Sequence, residues 1–319
     1  MVACSVIRHP IITMAFTVTI LGNSSAKPTP NAHPSAQVVN LNEQYYLVDA
    51  GEGVQQQLIR RGINPLRLRA VFISHLHGDH CFGLFPLIAT LGLEGKRTPL
   101  DIYAPAPMGE ILEYHRRYFW DDLPYEVKWH EVHTTEHQIV MENSTLEVWS
   151  IPLRHRVPTS GYLFREKQPG RNVEKYKIEK YGLSIAEIVA AKRGEDIVRN
   201  GVRIANEELT YIPYKARSYA YLSDTNYSAR AAERVRGVDL LYHETTYSER
   251  DSMLSKGRGH STTHDAAKVA LKAEAKRLII GHFSSRYKDH EQLVEACREL
   301  FTETYIAREG ETFSIEERR

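Results

Sequence analysis

The sequence predicts an α/β fold in which two β-sheets pack face to face with helices on both outer faces, an αββα sandwich. Two observations carry this expectation. Short stretches rich in β-branched and aromatic residues recur in both halves of the chain, and helical patterns follow them. At 319 residues the chain is long enough to bury a full-sized core.

Taken in order, the predicted strands of the first half are Phe16 to Leu21, Ala36 to Leu41, Gln44 to Val48 and Ala70 to Ser74. Asp49-Ala50-Gly51 reads as a tight turn, and Val54 to Arg61 as a helix closed by Gly62. A histidine-rich loop follows Ser74, then an apolar helix from about Phe82 to Leu91. Strands are expected again at Leu100 to Tyr103, Tyr125 to Glu131, Gln138 to Met141 and Leu146 to Ile151. The rhythm resumes with strands at Tyr219 to Leu222, Leu240 to Tyr242 and Arg277 to Ile280. Helices are expected at Thr263 to Ala275 and Asp289 to Leu300.

Between the halves, residues 165–203 change character. They contain Gly170, Gly182, Gly194 and Gly201, show little period-two pattern, and carry about ten Lys and Arg against about six Asp and Glu. By itself this reads as a solvated surface insertion.

The N-terminal residues allow two readings. Ile11 to Leu21 after Arg8, with Ser24-Ser25-Ala26 beyond, has the outline of a weak signal peptide. The alternation of Phe16, Val18 and Ile20 with Thr17 and Thr19 favours a strand instead, leaving residues 1–13 as an extension and Met14 as an alternative start. No run approaches the ~18 apolar residues of a membrane span.

Composition points first to a metal. Three cysteines, Cys4, Cys81 and Cys297, form no CxxC pair and no disulfide framework, which suits a reducing, cytoplasmic setting. The fifteen histidines, in contrast, are clustered. A formal charge of +1 gives no global nucleic-acid signature, so any RNA affinity must come from a local patch.

The decisive stretch is Phe72-Ile-Ser-His75-Leu-His77-Gly-Asp79-His80. An apolar strand delivers three imidazoles and a carboxylate, the ligand types of zinc-like ions, and Gly78 permits the turn that gathers them. A polar surface loop is the bland alternative. From the residue frequencies of this chain, HxHxDH arises by chance with odds on the order of one in a thousand, so the metal is preferred.

HxHxDH resembles the signature of the metallo-β-lactamase superfamily, whose fold is the αββα sandwich. The resemblance implies two metal ions and ligands further along: His155 in Ser150-Ile-Pro-Leu-Arg-His155, Asp224 in Tyr221-Leu-Ser-Asp224, and His282 in Leu278-Ile-Ile-Gly-His282. His75, His77 and His155 would hold one ion, Asp79, His80 and His282 the other, and Asp224 would bridge. Zinc is expected, with manganese or iron compatible with the same donors.

Secondary motifs narrow the family. Tyr242-His243-Glu244-Thr245-Thr246 resembles the HEAT loop of the ribonuclease Z family with Thr245 in place of alanine, and Gly259-His260-Ser261-Thr262-Thr263 resembles its HST loop. Pro213-Tyr-Lys215-Ala-Arg217 has its PxKxR pattern, and His282-Phe-Ser-Ser-Arg286 is similar to its last motif. By resemblance, Asp79 is also a proton acceptor, His260 oriented by Glu244 is the proton donor, and Lys215, Arg217, Thr245, Ser261, Thr262 and Arg286 lie at the substrate.

The basic insertion falls where that family carries an arm that grips tRNA, though Gly182-Leu183 stands where a Gly-Pro is usual. The implied activity is removal of the 3′ trailer of precursor tRNA by a homodimer, leaving a 3′-OH and a 5′-phosphate. A small-molecule phosphodiesterase or sulfatase on the same metal core is the alternative, and a catalytically silent RNA-binding protein a more distant one.

Overall fold

The computed structural model describes residues 15–316, so the N-terminal extension lies outside the described residues. Two seven-stranded sheets form the centre. The first runs Thr312–Ser314, Phe16–Gly22, Ala36–Leu41, Gln44–Ala50, Leu68–Phe72, Leu100–Ala104, Val127–Glu131 from edge to edge. The second runs Thr304–Ile306, Leu278–Gly281, Leu240–Glu244, Ser218–Leu222, Ser160–Glu166, Leu146–Pro152, Ile139–Glu142. Each sheet is antiparallel on one side and parallel on the other.

The alternation read in the first strand has the expected consequence. Phe16, Val18 and Ile20 face the second sheet in one buried cluster with Tyr46, Phe72, Val148, Tyr162, Phe164, Tyr219, Tyr221 and Tyr242. Tyrosine is admissible there because its hydroxyl finds partners: Tyr162 donates to the Ile73 carbonyl at 2.7 Å and Tyr221 to Asp49 Oδ2 at 2.7 Å. Helices Val54–Arg60, Leu84–Leu93 and Pro107–Phe119 cover the outer face of the first sheet, burying Leu58, Leu87, Ile88, Leu91 and Leu112. Helices Ala229–Arg234, Thr263–Lys272 and Glu291–Arg298 cover the second through Ala232, Ala266, Val269, Ala270 and Val294. The αββα sandwich is therefore the observed architecture.

One expectation changes, and four further elements are present. Asp49 and Ala50 are not a tight turn but the last residues of strand Gln44–Ala50, with Asp49 at φ 56°. Helix Pro107–Phe119, strand Ser160–Glu166 and the strands beyond residue 303 went unread. The last two contain only three residues each, too few to show a period.

The basic stretch lies in a segment that leaves the second sheet after Glu166 and rejoins it at Ser218, where Arg165 and Ser218 are paired. This segment folds on its own small core of Leu183, Ala191, Ile197 and Leu209. Helix Lys175–Tyr181 stops at Gly182, whose φ of 54° suits glycine, and Leu183 then turns into that core. Helix Ile185–Lys192 starts from a reciprocal Ser184–Glu187 capping box.

Candidate dinuclear metal centre

Strands Gln44–Ala50, Leu68–Phe72, Leu146–Pro152, Ser218–Leu222, Leu240–Glu244 and Leu278–Gly281 all end at one edge of the sandwich. Side chains at or just past their ends converge there. Asp49, Asp224 and His282 each adopt a left-handed backbone, at φ 56°, 58° and 58°. For residues with a Cβ this conformation is strained, and it redirects the side chain where a strand would have alternated it away.

Three groups of donor atoms result: His75, His77, His155 with Asp224; Asp79, His80 with His282; and Asp224, His260 with His282. The Asp224 carboxylate stands between the first two. Its Oδ1 is 3.9 Å from His75 Nε2 and 3.7 Å from His155 Nε2, while its Oδ2 is 3.1 Å from His80 Nε2 and 3.3 Å from His282 Nε2. Within the first group, His77 Nδ1 lies 2.9 Å from His75 Nε2 and 3.4 Å from His155 Nε2. Within the second, His80 Nε2 and His282 Nε2 are 3.3 Å apart, and Asp79 Oδ2 is 3.5 and 3.7 Å from them. A tetrahedral ion with bonds of about 2.1 Å spaces neighbouring donors by about 3.4 Å. The spacing fits.

The outer hydrogen bonds decide which ring nitrogens carry lone pairs. Ser74 Oγ donates to Asp49 Oδ2 at 2.9 Å, so it must accept from His75 Nδ1 at 3.0 Å. His80 Nδ1 donates to Asp49 Oδ2 at 2.7 Å, and His155 Nδ1 to the Gly259 carbonyl at 2.8 Å. The Thr246 hydroxyl donates to Glu244 Oε2 and therefore accepts from His282 Nδ1 at 2.8 Å. Each arrangement leaves the Nε2 lone pair turned inward, so four imidazoles present unprotonated nitrogens to one another beside two carboxylates. Such a set requires cations.

Charge agrees with this. Burial holds His75, His77 and His155 below the ordinary histidine pKa, keeping those nitrogens unprotonated. For His80 burial acts the same way, but the Asp224 and Asp49 carboxylates outweigh it and push its pKa well above that value. A metal ion at Nε2 would supply the positive charge those carboxylates demand. Burial favours the acid form of Asp79, yet positive charge at the adjoining His80 and His282 nitrogens, or at a cation held by them, prevails and keeps it ionised. The Ala26 amide donates to Asp79 Oδ2 at 2.7 Å.

At the rim, His260 Nδ1 is 2.9 Å from Glu244 Oε1. The fully buried Glu244 carboxylate also receives the Thr225 amide at 2.8 Å, the Thr246 amide at 3.2 Å and the Thr246 hydroxyl. Burial lowers the His260 pKa, but the charge and hydrogen bond of Glu244 overcome it and set it above the ordinary value. With Nδ1 engaged, Nε2 is the ring atom open to a substrate.

The expected substrate residues divide. Arg286, exposed four positions past His282, has no side-chain partner among the described residues, so it is free to meet an anion. Arg217 requires a correction. It is buried and forked onto Glu166, with Nε to Oε2 at 2.8 Å and Nη2 to Oε1 at 2.7 Å, and Nη1 donates to the Ile315 carbonyl. It also precedes strand Ser218–Leu222, whereas Asp224 follows it, so at about 3.3 Å per residue a strand about 16 Å long separates Arg217 and the exposed Lys215 from Asp224. Arg217 is thus a structural joint at the base of the inserted segment, while Lys215 two residues earlier is exposed. Ser261 and Thr262 are likewise engaged: Ser261 donates to the Thr225 carbonyl, and Thr262 caps helix Thr263–Lys272 and donates to Glu249 at 2.6 Å. Thr245 is buried, with its hydroxyl unpartnered.

Asp49, Ser74, Thr246 and Gly259 orient the donors yet drew no functional reading from the sequence. Asp49 offered one signal, a lone carboxylate at the end of the apolar run Tyr45-Tyr46-Leu47-Val48.

The sandwich with donors gathered at one edge defines a class, and the family model described as "Beta-lactamase superfamily domain" matches residues 44–184 and 201–283. Among curated proteins, Ribonuclease Z of Bacteroides thetaiotaomicron is 41% identical over 301 residues, covering 94% of this chain and 95% of its own length. Ribonuclease Z of Porphyromonas gingivalis is 43% identical over 296 residues, covering 92% and 97%. The crystal structure of the short form of human tRNase Z superposes with a TM-score of 0.69 at 25% identity over 94% of this chain and 99% of that one. The chain belongs to the ribonuclease Z family of the β-lactamase superfamily.

Proposed function

We propose that this protein is a metal-dependent endoribonuclease that removes the 3′ trailer of precursor tRNA. The observation that carries the reading is the two-lobed donor set bridged by Asp224 with the Glu244–His260 pair on its rim. His75, His77 and His155 would hold one zinc ion and Asp79, His80 and His282 the second, with manganese or iron fitting the same donors. Bound there, such ions would supply an activated water and charge neutralisation for the phosphate.

The chain's own groups do the rest. Asp79, kept ionised and steadied by the Ala26 amide, accepts the proton of the attacking water. His260 delivers a proton from Nε2 to the departing 3′ oxygen, because an alkoxide leaves poorly. Glu244 holds that ring in place and favours its protonated form. The products are tRNA with a 3′-OH and a trailer with a 5′-phosphate.

The stretch at about residues 165–203, within the segment between Glu166 and Ser218, is the tRNA-gripping arm. Glu174 pairs with Lys177, Glu187 with Arg199 and Asp196 with Arg203, but Lys175, Lys180 and Lys192 have no carboxylate partner among the described residues and are left for phosphates. We place the protein in the cytoplasm as a homodimer, the arm of one subunit serving the tRNA on the other. Among the described residues no helix is long and apolar enough to cross a membrane.

The test is to incubate the purified protein with a precursor tRNA bearing a trailer and to map the cut. A single cut after the discriminator base, lost with chelator and with His260→Ala, is expected. Chelator-sensitive hydrolysis of a small diester with no cut in tRNA would refute the tRNA reading and leave a small-molecule hydrolase. Excising residues 168–216 should raise KM for tRNA and spare a small diester, and equal losses on both would refute the arm.

A further inference from the structure

We propose that Phe82 and Arg156 form a nucleotide subsite on the His77 flank of the metal centre, Phe82 stacking a base next to the scissile phosphate and Arg156 contacting a neighbouring phosphate. The proposal rests on the endoribonuclease reading above and extends it to residues that reading does not use.

Phe82 is 63% exposed, although Cys81, Leu84, Leu87, Ile88 and Leu91 on the same stretch are all buried. Its ring therefore lies off the apolar stripe that packs on the sheet and contributes nothing to the core. One side of it is seated on Gly78, where a Cβ would come within 2.4 to 2.7 Å of three ring atoms. Gly78 joins His77 to Asp79, a donor from each metal group, so the ring stands at the mouth of the centre with its other side open. An open aromatic ring beside a phosphodiester site suits a nucleobase, since every base has a π-face.

Arg156 reaches the same flank from the other sheet. It follows the donor His155, and its Cγ lies against Gly259, where a Cβ would be 3.4 Å away. The side chain is exposed and has no carboxylate partner among the described residues. A free guanidinium in this position matches the bidentate geometry of a phosphate.

The experiment compares cleavage of intact precursor tRNA with that of two versions carrying an abasic residue, one immediately before and one immediately after the cut. Stacking is worth about 1–3 kcal/mol, so wild-type kcat/KM should fall about 5- to 150-fold at one of the two positions. Phe82→Ala should cleave intact and abasic substrates alike, and Phe82→Trp should restore the difference. Arg156→Ala should reduce the slope of log kcat/KM against log salt by about one. Equal wild-type rates on all three substrates, or discrimination that survives in Phe82→Ala, would overturn the subsite while the endoribonuclease stands. No cut in intact tRNA by the wild type would overturn both.

Discussion

Replacing Asp49 by asparagine tests the metal centre without removing any donor. The Asp49 carboxylate is fully buried and accepts four hydrogen bonds: the Ser74 amide at 2.7 Å on Oδ1, and on Oδ2 the Ser74 hydroxyl, His80 Nδ1 at 2.7 Å and the Tyr221 hydroxyl at 2.7 Å. Alanine would strand all four donors, each at about 1–3 kcal/mol, which threatens the fold itself. Asparagine keeps the shape and one acceptor. Its NH2 group, however, must face His80 Nδ1 or the Ser74 amide, and the latter can only donate. The least costly response places the NH2 at His80, forces Nδ1 to accept, and moves the ring proton to Nε2, the atom that faces the metal. Loss of such outer partners typically costs 10- to 100-fold in metal affinity, or about 1.4–2.7 kcal/mol. Competition against a chromophoric zinc chelator would read the dissociation constant, with thermal melting to confirm folding. An affinity within twofold of wild type in a folded Asp49→Asn protein would refute the argument that Asp49 fixes the His80 tautomer.

Three other substitutions probe separate parts of the molecule. Arg217→Ala should destabilise the fold by about 3–5 kcal/mol by leaving Glu166 charged and buried, whereas the exposed Lys215→Ala should lie within about 0.5 kcal/mol of wild type. Urea unfolding would show it, and a small effect of Arg217→Ala would return that residue to the list of possible phosphate contacts. Because the His260 pKa is raised through Glu244, the proton donor is present at low pH and is lost as pH rises through that value. Glu244→Gln should therefore shift the alkaline limb of the kcat–pH profile toward lower pH, and an unmoved limb would mean that His260 is not the group titrating there.

Much of the site was legible because its chemistry is local. His75, His77, Asp79 and His80 fall within six residues, and no common surface loop places three imidazoles and a carboxylate so close. His155, Asp224 and His282 were readable only through resemblance, since one histidine or aspartate at a strand end carries no signal of its own. The strands of the first half were equally accessible, because a sheet with one face on the core writes its period into the sequence, as Phe16, Val18 and Ile20 do.

What only the tertiary structure decided is which polar groups meet across long separations. Asp49 and His80 are 31 positions apart, His155 and Gly259 are 104, and no period or propensity links them. The basic residues of PxKxR show the same limit from the other side. A guanidinium looks identical in sequence whether it awaits a phosphate or is locked to Glu166, and its role follows from which end of the strand it occupies. The order of residues along the chain determined the sandwich and the metal's principal loop. The outer hydrogen bonds, the site's charge balance and the fate of each arginine depend on packing between the two sheets, which brings side chains together by distance in space and not by distance in sequence.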